Sequence, residues 1–159
     1  WKLPVVYICE NNLYGMGTAL RKSSALLEIH KKAAAYNMPG ERVDGMDVFA
    51  MREVTARAVA AARAGEGPTL LEALCYRFRG HSMADPVLYR KKEEEQSWRV
   101  RDPITTLRAR LEAGGLLSAQ EYAALEKKVT DQIEEAARFA EQSPEPAPEE
   151  LYTDVYASS

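Results

Sequence analysis

The sequence has few cysteines and no metal-binding pattern built on them. It contains two, Cys9 and Cys75, without a CxxC pair or a cluster of cysteine and histidine. A structural zinc site therefore has no support. Both cysteines lie inside apolar runs, where a thiol usually behaves as a small buried hydrophobe. We expect both to be packing residues.

Long apolar runs and an excess of positive charge are also missing. No stretch approaches the roughly 20 apolar residues that a membrane-spanning helix needs. The 21 basic and 24 acidic residues give a formal net charge of -3, which provides no general attraction to nucleic-acid phosphates. Neither nucleic acid nor a membrane is therefore an expected partner. The 159 residues, 46% of them hydrophobic, are enough for one core.

Two short apolar runs predict strands of an α/β protein with a parallel sheet. Residues 3–9 are rich in β-branched side chains, which is typical of a strand covered on both faces. Residues 69–76 form a second such run, interrupted only by Glu72. Helices are predicted between them, at residues 24–36 and after Asp47 as N-cap. A strand, helices and a strand imply a right-handed crossover.

Beyond residue 90 the pattern is helical. Asp102 and Pro103 predict a helix start, and Ser118 with Glu121 forms a capping box for a long helix to about residue 142. One face of that helix is apolar, and residues 151–156 are apolar enough to dock on another surface. We therefore expect an α/β region over residues 1–90, and a helical extension with a docking tail over residues 91–159.

Polar segments follow both predicted strands. In open α/β sheets ligands collect beyond the carboxyl ends of the strands, so residues 10–18 and 77–90 are where chemistry is expected. The first segment offers two asparagine oxygens and a glycine-containing turn. Magnesium takes oxygen ligands and is often shared with substrate phosphates. An Asn-Asn pair alone is more often only a turn.

The order of these motifs resembles a known family. Trp1-Lys2-Leu3-Pro4, a strand, and then Glu10-Asn11-Asn12-Leu13-Tyr14-Gly15-Met16-Gly17-Thr18 resembles the end of the thiamine-diphosphate motif in alpha subunits of thiamine-diphosphate-dependent pyruvate dehydrogenases. That motif begins with Gly-Asp-Gly, a string this sequence lacks, and the chain has no initiator methionine. The resemblance implies the C-terminal part of such a subunit, with residues 1–90 as the C-terminal half of its cofactor-binding domain.

The resemblance also implies roles for particular residues. Asn12 would ligate magnesium through its side-chain oxygen and Tyr14 through its backbone carbonyl, with Gly15 beside them in the thiamine diphosphate site. The aspartate of the absent half would supply the third protein ligand. The fragment alone is therefore expected to bind the cofactor weakly or not at all.

The string from Tyr76 to Pro86 is close to the active-site loop of the same family. The resemblance makes His81 a catalytic and cofactor-binding residue, with a part in passing the acyl group to a lipoyl arm. Histidine can exchange protons near neutral pH. His30, in a predicted helix without a motif, is expected to be structural or solvated.

Other residues near this loop carry weaker expectations. Ser82 matches a serine that is phosphorylated in eukaryotic members, whereas Ala19 replaces a further regulated serine, so the sequence weakly favours a bacterial enzyme. Asp85, Tyr89 and Arg90 could order the loop by pairing once cofactor is bound, or could be solvated. The mixed-charge run of residues 90–95 is expected to be an exposed helical face.

The family's activity is oxidative decarboxylation of pyruvate with transfer of the acetyl group to a lipoyl group. The implied partners are a beta subunit, in an alpha2-beta2 assembly, and the lipoyl domain of the dihydrolipoyl acetyltransferase core. The location would be cytoplasmic in bacteria and the mitochondrial matrix in eukaryotes. Two alternatives stay open: an acetoin dehydrogenase alpha subunit, and a non-catalytic fragment that only packs against a beta subunit.

Overall fold

The computed structural model describes residues 1–156, and these divide into two compact units. The first unit is Trp1–Leu111 and the second begins at Glu112. The division lies inside the helix Pro103–Ala113. The expected boundary of the α/β region at residue 90 stays a prediction. The first unit includes the helix Lys92–Arg99, whose Trp98 stacks on Tyr76, and Arg110, which pairs with Asp47.

Three parallel strands form the sheet of the first unit. They are β1 (Val6–Asn11), β4 (Gly40–Asp44) and β5 (Thr69–Leu74), in the order β1-β5-β4. The register pairs Leu74 with both Asn11 and Asp44. All three strands therefore end at one edge of the sheet. A separate two-stranded hairpin, β2 (Tyr14–Gly15) and β3 (Thr18–Ala19), follows β1 directly.

The prediction of a parallel α/β sheet is confirmed, but two details were wrong. β4 was missed because four of its five residues are glycine or charged, so it has no apolar run. β1 was expected to be covered on both faces, whereas Tyr7 and Ile8 are about half exposed. β1 lies at an edge of the sheet, and no described strand pairs on its other side.

The segment between β3 and β4 is less regular than predicted. The expected helix over residues 24–36 is replaced by a short helix, α1 (Leu20–Ser23), and a 3-10 helix, Ile29–Tyr36. Only Ala33 of the 3-10 helix is buried. Asn37 ends it in a left-handed conformation, which asparagine tolerates better than most residues. The apolar spacing that predicted one long helix thus does not correspond to a buried face.

The core lies between the sheet and α2 (Val48–Arg63). Asp47 is its N-cap, as predicted, and accepts hydrogen bonds from the backbone of Phe49 and Ala50. The core cluster comprises Val54, Ala58 and Leu71, with Val6 and Val43 packed against it. This small core holds β5 at the centre of the sheet.

In the part of the chain that the structure describes, three α-helices follow the sheet. They are α3 (Lys92–Arg99), α4 (Pro103–Ala113) and α5 (Ala119–Gln142). Asp102 accepts hydrogen bonds from the first turn of α4, and the capping box at Ser118 is present, so both predicted helix starts are confirmed. None of the described helices is long and apolar enough to cross a membrane.

The apolar residues of α5 are exposed rather than covered. Leu125, Val129 and Ile133 keep about half or more of their surface accessible. A 3-10 helix, Pro148–Tyr152, begins the expected docking tail, whose described apolar residues are also exposed. Docking of this tail stays a prediction.

Candidate functional site

The two polar segments leave the sheet at neighbouring points. β1 and β5 are adjacent and parallel, and their last residues, Asn11 and Leu74, are paired. The backbone N–H of Cys75 donates to the carbonyl of Asn11 at 3.0 Å. Both segments therefore begin at the same carboxyl edge, the place where α/β sheets bind ligands.

The first segment is a tight turn fixed by its own asparagines. Asn11 Oδ1 accepts from Leu13 N and Asn12 Oδ1 accepts from Tyr14 N, both at 3.1 Å. The turn places Leu13 and Met16 at φ values of 70° and 53°. Such left-handed conformations cost a non-glycine residue about 1 kcal/mol or more. Strain of this kind persists only where the surroundings determine the backbone.

The oxygens of this turn suit magnesium as part of a ligand set. Asn11, Asn12, Tyr14 and Gly15 line a cavity of about 240 Å³. Asn12 offers a neutral amide oxygen, and neutral oxygens are ligands that magnesium accepts beside carboxylates and phosphates. Within residues 1–156, no group of three acidic, histidine or cysteine residues could hold a metal by itself. The turn therefore fits a shared site, completed by other ligands.

The side chain of Tyr14 anchors the turn to α3. Its hydroxyl donates to the two carboxylate oxygens of Glu94 at 2.8 and 3.0 Å. Burial, reinforced by this bond, raises the pKa of Tyr14 to about 12. The ring also packs on Tyr89, with centroids 5.6 Å apart. Glu94 belongs to the charged run that was expected to be an exposed helical face. Residues 91–93 are exposed, whereas Glu94 is half-buried because this phenol holds it.

Arg77 joins the two segments, although no motif in the sequence assigned it a role. Its guanidinium donates to the backbone oxygen of Met16 at 2.9 Å and to the Tyr89 hydroxyl at 3.2 Å. The same group lies 3.3 Å from His81 Nδ1. The available signal was its position, because it is the first charged residue after β5.

His81 is an exposed residue whose orientation is set by this contact. A guanidinium only donates hydrogen bonds, so Nδ1 accepts and Nε2 carries the proton of the neutral ring. His81 thus presents an N–H donor beside the turn that carries Met16. The neighbouring Ser82 is exposed as well.

Asp85 orders the loop around His81. Its carboxylate accepts from the backbone of His81 at 2.7 Å, from the Tyr89 hydroxyl at 2.6 Å and from Val87 N at 2.9 Å. The bond from Tyr89, followed by the two backbone bonds, lowers the pKa of Asp85 to about 2. Asp85 and Tyr89 are therefore bonded to each other rather than only to solvent, and ordering of the loop by bound cofactor stays a prediction.

Arg90 closes the base of the loop. Its guanidinium donates to the carbonyls of Arg77 and Arg79 and lies 5.0 Å from the centroid of the Tyr76 ring. Tyr76 in turn stacks on Trp98, with an interplanar angle of 6°. The loop is thus connected to α3, and Arg90 is not a merely solvated residue.

A buried network lies behind the turn. The carboxylate of Glu72 accepts from Asn11 Nδ2 at 2.7 Å, from His30 N at 2.9 Å and lies 2.8 Å from His30 Nδ1. His30 is therefore structural, one of the two expected possibilities. The signal for Glu72 was in the sequence, as the single charge in an apolar strand.

The fold and the site first define a class: an α/β protein with two polar segments at the carboxyl edge of a parallel sheet, the usual ligand position of such folds. Sequence comparison then identifies the family. The family described as "Dehydrogenase E1 component" matches residues 1–149. The chain belongs to this family, which confirms the resemblance at that level.

Several similar proteins are named as alpha subunits of pyruvate dehydrogenase. A "Pyruvate dehydrogenase E1 component subunit alpha" from Porphyra purpurea is 45% identical over 100% of this chain and 46% of its own length. The protein of that name from Rhizobium meliloti is 46% identical over 98% of the chain and 45% of its length. The somatic mitochondrial form from Homo sapiens is 46% identical over 99% of this chain and 40% of its own length. The chain thus spans less than half the length of these relatives.

Proposed function

We propose that this chain is part of the alpha subunit of a thiamine-diphosphate-dependent pyruvate dehydrogenase. The parent enzyme catalyses oxidative decarboxylation of pyruvate and transfers the acetyl group to a lipoyl group. One observation carries the proposal: Arg77 connects the turn of the Asn12 motif, through Met16 O, to His81 in the second motif. This connection supports one shared site for two motifs that lie 69 positions apart in the sequence, from Asn12 to His81.

Asn12, Tyr14 and Gly15 are proposed to hold the magnesium and diphosphate. Asn12 would contribute its side-chain oxygen and Tyr14 its backbone carbonyl. Gly15 has no heavy atom within 4 Å of where a Cβ would lie, so the open space beside it is available to a ligand. When bound, thiamine diphosphate supplies the carbon nucleophile that decarboxylation of a 2-oxo acid requires.

His81 is the proposed catalytic residue. Its exposed ring holds a proton at Nε2, while Arg77 and Asp85 hold the ring and the backbone in place. Through this N–H the ring would donate a hydrogen bond to a diphosphate oxygen or to a sulfur of an incoming lipoyl group, and so stabilise the negative charge there. The role of Arg77 and Asp85 is to orient this donor.

The partners and the location follow from the same proposal. A beta subunit in an alpha2-beta2 assembly would complete the cofactor pocket, and the lipoyl domain of the dihydrolipoyl acetyltransferase core would receive the acetyl group. Residues 1–90 would be the C-terminal half of the cofactor-binding domain and residues 91–159 its helical extension. The enzyme would act in the cytoplasm of a bacterium or the mitochondrial matrix of a eukaryote.

The experiment compares His81→Ala with wild type in the full alpha subunit assembled with its beta subunit. Acetylation of a lipoyl domain should fall by at least about a hundredfold, the usual effect of removing one preorganised hydrogen-bond donor from an active site. Ser82→Ala, which changes the neighbouring exposed side chain, is the matched control and should stay near wild type. Unchanged acetylation by His81→Ala refutes the role of His81.

The same assembly separates the alternatives. Pyruvate and acetoin are offered as substrates to the wild type, with reduction of an artificial electron acceptor as the readout. Turnover of pyruvate supports the proposal, whereas turnover of acetoin alone indicates an acetoin dehydrogenase. An assembled complex that turns over neither substrate indicates a packing subunit without catalysis.

A further inference from the structure

A buried carboxylate lies directly behind the turn that carries Asn12. Glu72 belongs to the central strand β5 and its surface is fully buried. Removing an ionised carboxylate from water is costly unless nearby donors compensate for the lost hydration. The buried charge of Glu72 is therefore stable only while neighbouring groups donate to it, and these bonds in turn fix the positions of the donors.

The compensating donors come from three different elements. Asn11 at the end of β1 and His30 in the 3-10 helix donate hydrogen bonds, and Arg42 of β4 places its Nε 3.6 Å from Oε1. Burial acts to raise the pKa of Glu72, but the bonds from His30 and Asn11 outweigh it, so the pKa lies below its usual value. The side chain is an ionised anchor at the centre of the sheet.

Asn11 passes this anchoring on to the turn. The residue is buried, with 4% of its surface exposed. The amide nitrogen donates to Glu72, while the amide oxygen accepts from Leu13 N. An ionised carboxylate can only accept hydrogen bonds, and Leu13 N can only donate one. The Asn11 amide therefore cannot flip without losing both bonds. The orientation of Asn11 is thereby fixed, and with it the strained backbone at Leu13.

We propose that Glu72 is a positioning residue for the metal-binding turn. It holds Asn11, which holds Leu13 in its left-handed conformation, and this sets the places of the Asn12 amide and the Tyr14 carbonyl. Glu72 itself touches neither metal nor cofactor. The identity of the ligand rests on the proposed function, whereas the coupling between Glu72 and the turn rests on the hydrogen bonds alone.

The test replaces Glu72 by glutamine in the assembled enzyme. Glutamine keeps the shape of the side chain but loses the charge and one acceptor. The affinity for magnesium at saturating thiamine diphosphate should fall by about tenfold or more, as when other outer partners of metal ligands are removed. The KM for pyruvate at saturating magnesium should stay within about twofold, because substrate contacts are untouched.

A second readout needs no cofactor. Amide hydrogen exchange at Leu13 and Tyr14 should be about tenfold faster in Glu72→Gln than in wild type, because the turn opens more often. Val54→Ala in the core of the same sheet is the control. It should lower the Tm without changing exchange in the turn or the affinity for magnesium.

Asn11→Leu tests the connection between the two residues and serves if Glu72→Gln does not fold. It should reproduce the loss of magnesium affinity, and the double variant should be no worse than Asn11→Leu alone, since the effects pass through one chain of contacts. Two results would overturn the inference: fully additive effects in the double variant, or amide hydrogen exchange in the turn that is unchanged in both Glu72→Gln and Asn11→Leu.

If the wild type shows no magnesium-dependent cofactor binding, the proposed function fails, and the exchange experiment still decides the inference.

Discussion

At the scale of the residue, Asp85 shows how an exposed loop can be ordered without a core. One carboxylate gathers a phenol and two backbone N–H groups, and each of these bonds is stronger because the acceptor is charged. The network fixes His81 from its backbone, while Arg77 fixes it from its ring. The proposed catalytic group is therefore oriented by neighbours within four positions along the chain.

This network makes the loop sensitive to acid. The pKa of Asp85 is lowered to about 2, below the roughly 3.9 of an unfolded aspartate. Its stabilising effect is therefore complete above about pH 4 and is lost as the pH falls toward 2. Carbon NMR of the Asp85 carboxyl group should show a midpoint near pH 2.

Tyr89→Phe removes the largest cause of the low pKa and should raise the midpoint toward the ordinary aspartate value. Tyr7→Phe, on the exposed side of β1, is the matched control and should leave it unchanged. A wild-type midpoint near 4 would show that the carboxylate does not hold the loop as described.

At the scale of the element, helix ends obey local rules that can be tested singly. Ser118 accepts from Glu121 N at 3.2 Å and its own backbone N–H donates to the Glu121 carboxylate at 2.8 Å. Ser118→Ala removes the side-chain part of this box and should lower the free energy of unfolding by about 1 kcal/mol. Urea unfolding followed by circular dichroism at 222 nm measures this change.

Asparagine is an equally good N-cap, so Ser118→Asn should keep nearly all of the stability. A result in which alanine and asparagine behave alike would contradict the capping role. The loss should appear in the stability and not in pyruvate turnover, because no described contact connects Ser118 with Asn12 or His81.

The same local rules explain which elements could be predicted from the sequence. Asp47, Asp102 and Ser118 predicted helix starts because a cap acts through neighbouring backbone groups. β5 was predicted because an apolar run bounded by turn residues reports burial. β4 and the 3-10 helix were not, since β4 is held by pairing with β5 and not by its own side chains.

The candidate site was predictable in part for a related reason. Asn12, Tyr14 and His81 lie in motifs that are recognisable as strings of residues. Arg77 and Glu72 act across the fold, on Met16 and Asn11 respectively, and such contacts appear only once β1 and β5 are placed side by side. A single charge within an apolar run is the signal to examine in such strands.

At the scale of the whole molecule, the described residues would provide part of the ligand set of the proposed magnesium site. The turn offers two neutral oxygens where octahedral magnesium takes about six ligands, and the chain spans less than half the length of its relatives. The residues that orient this turn and loop are all present. Glu72 of β5 accepts a hydrogen bond from Asn11, and Arg77 contacts His81. The site is therefore expected to be completed in the assembled enzyme.

The most direct measurement is a calorimetric titration of magnesium, at saturating thiamine diphosphate, into the assembled enzyme with Asn12 unchanged, Asn12→Ala or Asn12→Asp. Loss of the ligand oxygen in Asn12→Ala should weaken magnesium binding by at least about tenfold, while Asn12→Asp, which retains an oxygen at that place, should bind much more tightly than Asn12→Ala. Equal affinity in wild type and Asn12→Ala would contradict the assignment of this turn to the metal.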